Sequence, residues 1–157
     1  VRVGLAYGRK DREGIGLAGW TAFWLSTAFM TLMATLMFIF PHQLITLFLA
    51  DTPENATVIA FGVSFLRIAA LFQIVDGWQV VGAGMLRGIH DTRVPMVFAL
   101  FGYWAIGLGI GLALAFAMEW RGVGIWTGLA AGLGVVAILM LWRWTRRERL
   151  GLLPVGA

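Results

Sequence analysis

The sequence contains no cysteine, which excludes a disulfide framework, a thiolate metal site and a cysteine nucleophile. Charge is also scarce. Only 13% of the 157 residues are Asp, Glu, Lys or Arg, while 60% are hydrophobic; a soluble domain carries about twice that share of charge. Catalytic sets are missing too. The apolar runs hold no Ser/His/Asp combination, a single carboxylate stands where an aspartic protease needs two, and there is no phosphate loop or metal-ligand cluster. The sequence does not read as an enzyme and implies no cofactor.

What is abundant is apolar sequence in long runs. Four segments cover residues 17–40, 58–86, 94–118 and 122–142, and each reaches the roughly 20 residues that a helix needs to cross a hydrocarbon core. Soluble helices rarely stay apolar on every face for so long. The expected fold is all-α, a polytopic membrane protein with four transmembrane helices between residues 17 and 144. Residues 1–16 read as the end of a preceding helix and a loop, and residues 145–157 as a tail. The stretch from Pro41 to Asp51 reads as a short interfacial helix. Trp20, Trp24, Trp120, Trp126, Trp142 and Trp144 lie near segment ends, as in an interfacial belt, whereas Trp78 and Trp104 lie deeper.

The few charges set the orientation. Arg2, Arg9, Lys10 and Arg12 precede the first run, and Asp51 and Glu54 follow it without a basic residue. Arg87 and Arg93 flank the next link, Glu119 and Arg121 the short third one, and Arg143, Arg146, Arg147 and Arg149 end the chain. Basic-rich and basic-poor sides therefore alternate, and the positive-inside rule places both ends in the cytoplasm. Ten of the twelve basic residues fall on that side, which accounts for the basic balance without a nucleic-acid partner. The basic run of the tail reads first as a topology determinant, with contact to anionic headgroups of the membrane lipid as the second reading.

Glycine is frequent inside the runs. Gly124, Gly128 and Gly132 recur every four residues, so they share one helix face where a second backbone can come close. Gly107, Gly109 and Gly111 have period two. They spread around their helix; tight packing is the first reading and a flexible hinge the lesser one.

One stretch, "LFQIVDGWQVVGAGMLRG" from Leu71 to Gly88, carries an aspartate inside its apolar run. With Arg87 at the basic edge, the helical rise puts Asp76 about 15 Å deep, near the middle of a roughly 30 Å core. A central aspartate costs about 2.5–3.5 kcal/mol to insert. Gln73 and Gln79 flank it at three residues, on the same side of the helix. Two readings compete: a hydrogen-bonded packing residue between helices, or a carboxylate that binds a proton or cation as its hydration changes. Arg67, nine residues from Asp76, is half a turn out of phase with it and reads as structural, either snorkelling to the other interface or pairing with a carboxylate outside this chain. His42 and His90 lie at opposite faces and read as surface residues.

These residues resemble a known family. "VRVGLAYGRKD" is similar to a segment of the multidrug and toxic compound extrusion (MATE) transporters of NorM type, through Val1, Arg2, Gly4, Gly8 and Asp11. "FPHQLITLFLAD" resembles the family's outer loop after its ninth helix. "FQIVDGWQVVGAGMLRGIHD" resembles the tenth helix and its following loop, and "YWAIGLGIG" the eleventh. The resemblance implies a twelve-helix fold in two lobes, of which this chain is the C-terminal part, lacking the N-terminal part of the same transporter. It implies a bacterial inner-membrane antiporter that exports cationic or amphiphilic drugs, coupled to H+ or Na+. Asp76 falls on the family's coupling carboxylate and is the one candidate Na+ ligand. Gln73 and Gln79 become its polar shell, and Phe72, Trp78 and Trp104 candidate cavity-lining residues. Phe72 stands where NorM-type members can carry tyrosine, and Gly107-Leu108-Gly109 where they carry Gly-Leu-Pro; both departures favour H+. A lipid-linked-precursor flippase or polysaccharide exporter of the same superfamily, and a non-transporting scaffold subunit, are the alternative readings.

Overall fold

The computed structural model describes residues 1–118 and 121–154. The expected third link at Glu119 and Trp120, and the last three residues of the tail, lie outside the described residues. The protein is all-α. Its helices are α1 (Arg2–Gly8), α2 (Arg12–Ile39), α3 (Pro41–Thr46), α4 (Ala56–Gly88), α5 (Arg93–Ala117) and α6 (Arg121–Thr145). Four of them, α2, α4 with the 3-10 turn at Pro53–Asn55, α5 and α6, are long and apolar enough to cross a membrane.

Helix α2 begins at Arg12, five residues earlier than its apolar pattern does. The cause is local. Lys10 takes the left-handed conformation (φ 58°) that ends α1, and the Asp11 N–H bonds the Ala6 carbonyl at 3.0 Å, the six-to-one bond of a Schellman turn. The Asp11 carboxylate then accepts the Gly14 N–H at 2.8 Å, which caps the first turn of α2. The motif recurs. "GRKD" (Gly8–Asp11) is echoed by "GIHD" (Gly88–Asp91) at the end of α4. There His90 is left-handed (φ 62°) and the Asp91 N–H bonds the Leu86 carbonyl at 3.0 Å.

The chain forms two compact units. Residues 27–74 make one. In it Pro41 opens α3, and Ile45 of α3 packs where Gly62 of α4 leaves room, a Cβ there falling 2.9 Å from the Ile45 Cδ1. The Asn55 amide donates to the Ala50 carbonyl at 2.8 Å. His42 and Asp51 form an exposed pair at 3.6 Å. The Arg67 guanidinium lies over the Phe38 ring at 6.0 Å.

Residues 1–26 and 75–157 make the other unit. Its core gathers Val3, Ala6, Ile15, Phe23, Met85, Leu86, Ile89, Val136, Met140, Trp144 and Leu153. These come from α1, the start of α2, the ends of α4 and α6, and the tail, so the core sits at the basic end of the helices. Ile15, Leu86, Val136 and Met140 are fully buried, each worth about 1.5–3 kcal/mol. One expectation changes here. Trp144 does not belong to an interfacial belt: it is 0% exposed, with its ring over Gly19 of α2 and the Arg147 guanidinium 4.7 Å above it. Its burial is possible because glycine at position 19 leaves the space an indole needs. The tail, in turn, folds back. Gly151 (φ 65°) and the Leu152 N–H to Arg147 carbonyl bond repeat the Schellman turn, Leu153 enters the core, and the Arg12 guanidinium donates to the Pro154 carbonyl at 3.1 and 3.2 Å.

Helix α5 is wound unusually. Phe101–Leu108 and Ala113–Ala117 are π-helical, with α-helical turns before and between them. Its buried small residues, Gly102, Gly107, Gly111 and Ala115, are spaced by five, four and four. On an α-helix a five-residue step turns about 140° away from its starting face. The i→i+5 bonding of a π-helix, with about 4.4 residues per turn, returns it to that face. The wider winding therefore lines all four up against α6. A Cβ on Gly124, Gly128 or Gly132 would lie 2.6 Å from the Ala115 N, 2.6 Å from the Gly107 O or 2.5 Å from the Gly102 O, respectively. The close approach read from the α6 glycines is thus present. Of the period-two glycines of α5, Gly107 and Gly111 face α6, and Gly109 stands open, with nothing within 4 Å of its would-be Cβ.

Candidate functional site

Helix α4 is α-helical from Ala56 to Gly88, so the rise from Arg87 to Asp76 keeps the carboxylate about 15 Å from the basic edge. Asp76 is half-buried. Among the described residues it makes no ion pair. The helix positions it between Val75, whose methyl comes within 3.8 Å of the would-be Cβ of Gly134 on α6, and the buried Gly77.

A second polar side chain near Asp76 comes from α5. The Tyr103 phenol is close enough to feel the Asp76 charge. Tyr103 sits in the first π-helical segment beside Gly102, whose would-be Cβ falls 3.1 Å from the Gly132 carbonyl oxygen of α6. Close packing of α5 on α6 therefore sets where the phenol stands. Tyr103 was not among the residues expected at the site, which included its neighbour Trp104, because nothing along α4 or α5 alone shows which α5 residue comes near Asp76.

The other expected site residues are placed as follows. The Gln73 amide donates to the Met30 carbonyl of α2 at 3.0 Å. Gln79 lines a cleft towards the basic end of the helices. Trp78 is half-buried, its ring 6.0 Å from that of Phe23 and against the core. Trp104 is 67% exposed, and Phe72 is half-buried.

A second polar centre lies at the basic end. Arg143 of α6 grips Asp91 with two bonds, from Nε to Oδ2 and from Nη2 to Oδ1 at 3.2 Å. Both side chains are largely buried, at 14% and 8% exposure. The Schellman turn that ends α4 aims the carboxylate. In the first "GxxD" turn Asp11 caps the next helix; in the second, Thr92 and not Asp91 stands before α5, so Asp91 is free to take the guanidinium. Such a bidentate pair fixes geometry as well as adding energy. The His90 ring, 5.1 Å from that of Tyr7, adds a contact from α1.

Comparison with known proteins places the chain as a whole. The model of the MatE family matches residues 1–113. A probable multidrug resistance protein NorM of Mesorhizobium japonicum is 56% identical over 151 residues, covering 96% of this chain and 32% of that protein. The multidrug resistance protein NorM of Burkholderia vietnamiensis is 48% identical over 145 residues, or 92% of this chain and 31% of the other. The chain thus spans about a third of the length of these relatives. Among solved structures, the eukaryotic MATE transporter AtDTX14 superposes with a TM-score of 0.81 at 22% identity, over 97% of this chain and 35% of that one. An inward-facing multidrug resistance MATE family transporter of the MOP superfamily gives 0.79 at 20% identity, over 96% and 34%. These two likenesses concern the fold.

Proposed function

This chain belongs to the MatE family, and we propose that it forms the C-terminal third of a multidrug efflux antiporter of the bacterial inner membrane, with the basic ends of its helices in the cytoplasm. The substrates are cationic or amphiphilic compounds, and the driving ion is H+ or Na+. The observation that carries the coupling role is the half-buried Asp76, without an ion pair among the described residues, far from the basic edge and within reach of the Tyr103 phenol.

An ionised aspartate at that depth carries an insertion cost of about 2.5–3.5 kcal/mol. A proton or cation arriving from outside removes much of that cost, and its release inside restores it. Only a difference of this kind between two conformations can shift their populations. The Tyr103 hydroxyl, as donor to the empty carboxylate or as an oxygen towards a bound cation, gives the site a second group. Exposed aromatic side chains such as Trp104 offer flat hydrophobic cations dispersion and cation–π contact.

The test is Asp76→Asn in the complete transporter. Drug efflux driven by an imposed pH or Na+ gradient is expected to be lost while membrane expression is unchanged. Normal gradient-driven efflux in that variant overturns the coupling role. The gradient that drives the unmodified transporter identifies the ion.

A further inference from the structure

A cleft of about 230 Å³ opens at the basic end, between α4, α5 and α6. Gln79, Ala83 and Arg87 lie along one face of α4, spaced by four, so the cleft extends about 12 Å along that helix from Arg87. Its sides are Met96 and Ala99 of α5 and Met140 of α6. Its polar end holds Arg87, Thr92 and the paired Asp91. The charges there do not cancel. Asp91 is spent on Arg143, and Arg87 has no ion-pair partner among the described residues. The opening therefore presents one cation and a hydroxyl above an apolar furrow.

We propose that this cleft binds an anionic phospholipid of the leaflet on the basic side of the membrane. The phosphate sits against the Arg87 guanidinium and the Thr92 hydroxyl, and one acyl chain lies along Ala83 and Ala99 towards Met140. The shape and charge select this occupant. A cationic drug meets an unpaired arginine at the opening. A soluble anion leaves the apolar furrow unused. The volume is below the roughly 300–1,000 Å³ of drug-sized pockets, and a single chain fills it. The proposal rests on the helices crossing a membrane and is independent of drug efflux.

The test is lipid retention by the complete transporter in detergent, read by native mass spectrometry during titration with phosphatidylglycerol or phosphatidylcholine. One phosphatidylglycerol is expected to bind in preference to phosphatidylcholine. Arg87→Gln is expected to weaken it about fivefold, the equivalent of the ~1 kcal/mol that one basic residue adds near an anionic surface. Arg87→Lys keeps the charge and retains the lipid within about twofold by the same rule. Ala83→Phe fills the furrow and removes the site while leaving Arg87 in place. Arg149→Gln, in the exposed tail, and Asp76→Asn leave binding unchanged, so loss of coupling and loss of lipid are separable. Unchanged retention in both Arg87→Gln and Ala83→Phe overturns the proposal, and this is also the result if a preceding part of the complete chain fills the cleft. An equal loss in Arg149→Gln overturns it in favour of diffuse attraction.

Discussion

Adding one methyl group at Gly128 tests the packing that holds α5 on α6. The would-be Cβ lies 2.6 Å from the Gly107 carbonyl oxygen and meets the backbone of Gly111 on the same side. Backbone atoms cannot swing aside as a side chain can, so Gly128→Ala must push the two helices apart by about 1 Å, a gap that forfeits a quarter to a half of each dispersion contact it opens. Overpacking of this kind costs about 1–3 kcal/mol, and contact with backbone on the facing helix puts Gly128 at the upper end. The gain from replacing a mid-helix glycine, about 0.5–1 kcal/mol, leaves a net loss near 2 kcal/mol. Gly109→Ala is the internal control, because nothing lies within 4 Å of its Cβ and only the gain applies. Gly107→Ala, with its nearest neighbour at 3.3 Å, falls between. The order of stability is therefore Gly109→Ala, then Gly107→Ala, then Gly128→Ala, spanning about 3 kcal/mol. The difference arises because the would-be Cβ of Gly128 meets the α5 backbone, whereas that of Gly107 stays 3.6 Å from the nearest α6 atom. Thermal unfolding of the complete transporter, followed by tryptophan fluorescence in one detergent, reads the order. A Gly128→Ala transporter as stable as Gly109→Ala refutes the close π-wound interface.

Breaking the Asp91–Arg143 pair from one side, with Asp91→Ala or Arg143→Met, is expected to destabilise by about 3–5 kcal/mol by leaving a buried charge alone, whereas the double change Asp91→Leu with Arg143→Met is close to neutral; additive losses in chemical unfolding contradict a paired role. Lys10→Gly should raise stability by about 1 kcal/mol, because a left-handed backbone costs an L-residue that much. His90→Gly should change little, since the ring contact with Tyr7, worth about 0.5–1.5 kcal/mol, offsets the same gain; equal effects at the two sites in thermal unfolding count against this account. Leu153→Asp should release the folded-back tail and expose the Arg147–Gly151 segment to limited proteolysis, and an unchanged cleavage pattern opposes the docking of Leu153 in the core. Tyr103→Phe is expected to leave expression intact and to alter the pH or Na+ dependence of efflux, and a profile identical to the parent's separates Tyr103 from Asp76.

The helical spans were legible because each one is a local property: a long apolar run and charges at its ends. The glycine stripe of α6 was legible for the same reason, its four-residue period being written in one helix. What escaped were features that depend on two segments at once. Tyr103 comes near enough to feel the Asp76 charge only through the placement of α5, and the Asp91–Arg143 pair joins residues 52 apart. Trp144 looked interfacial because its position in the sequence is terminal. Its burial depends on Gly16 and Gly19 of α2, where a Cβ would meet the Arg147 guanidinium and the Trp144 ring, respectively.

The winding of α5 shows where a better reading of the sequence was available. Gly107, Gly109 and Gly111 draw the eye as a cluster with period two, yet the set that packs is Gly102, Gly107, Gly111 and Ala115. That set takes 13 steps along the chain in three turns, too long a period for an α-helix and close to that of a π-helix. A small-residue stripe opposite an α-helical glycine stripe therefore specifies winding as well as contact. The same winding carries Tyr103 alongside Gly102, so the packing that stabilises α5 on α6 also sets the position of the phenol near Asp76. A change at the stripe is then expected to act on coupling as well as stability. Gly132→Ala, whose Cβ would fall 2.5 Å from the Gly102 carbonyl oxygen, should shift the ion dependence of efflux in transporter that remains folded, and Gly124→Ala, at the far end of the stripe, should lower stability with that dependence unchanged.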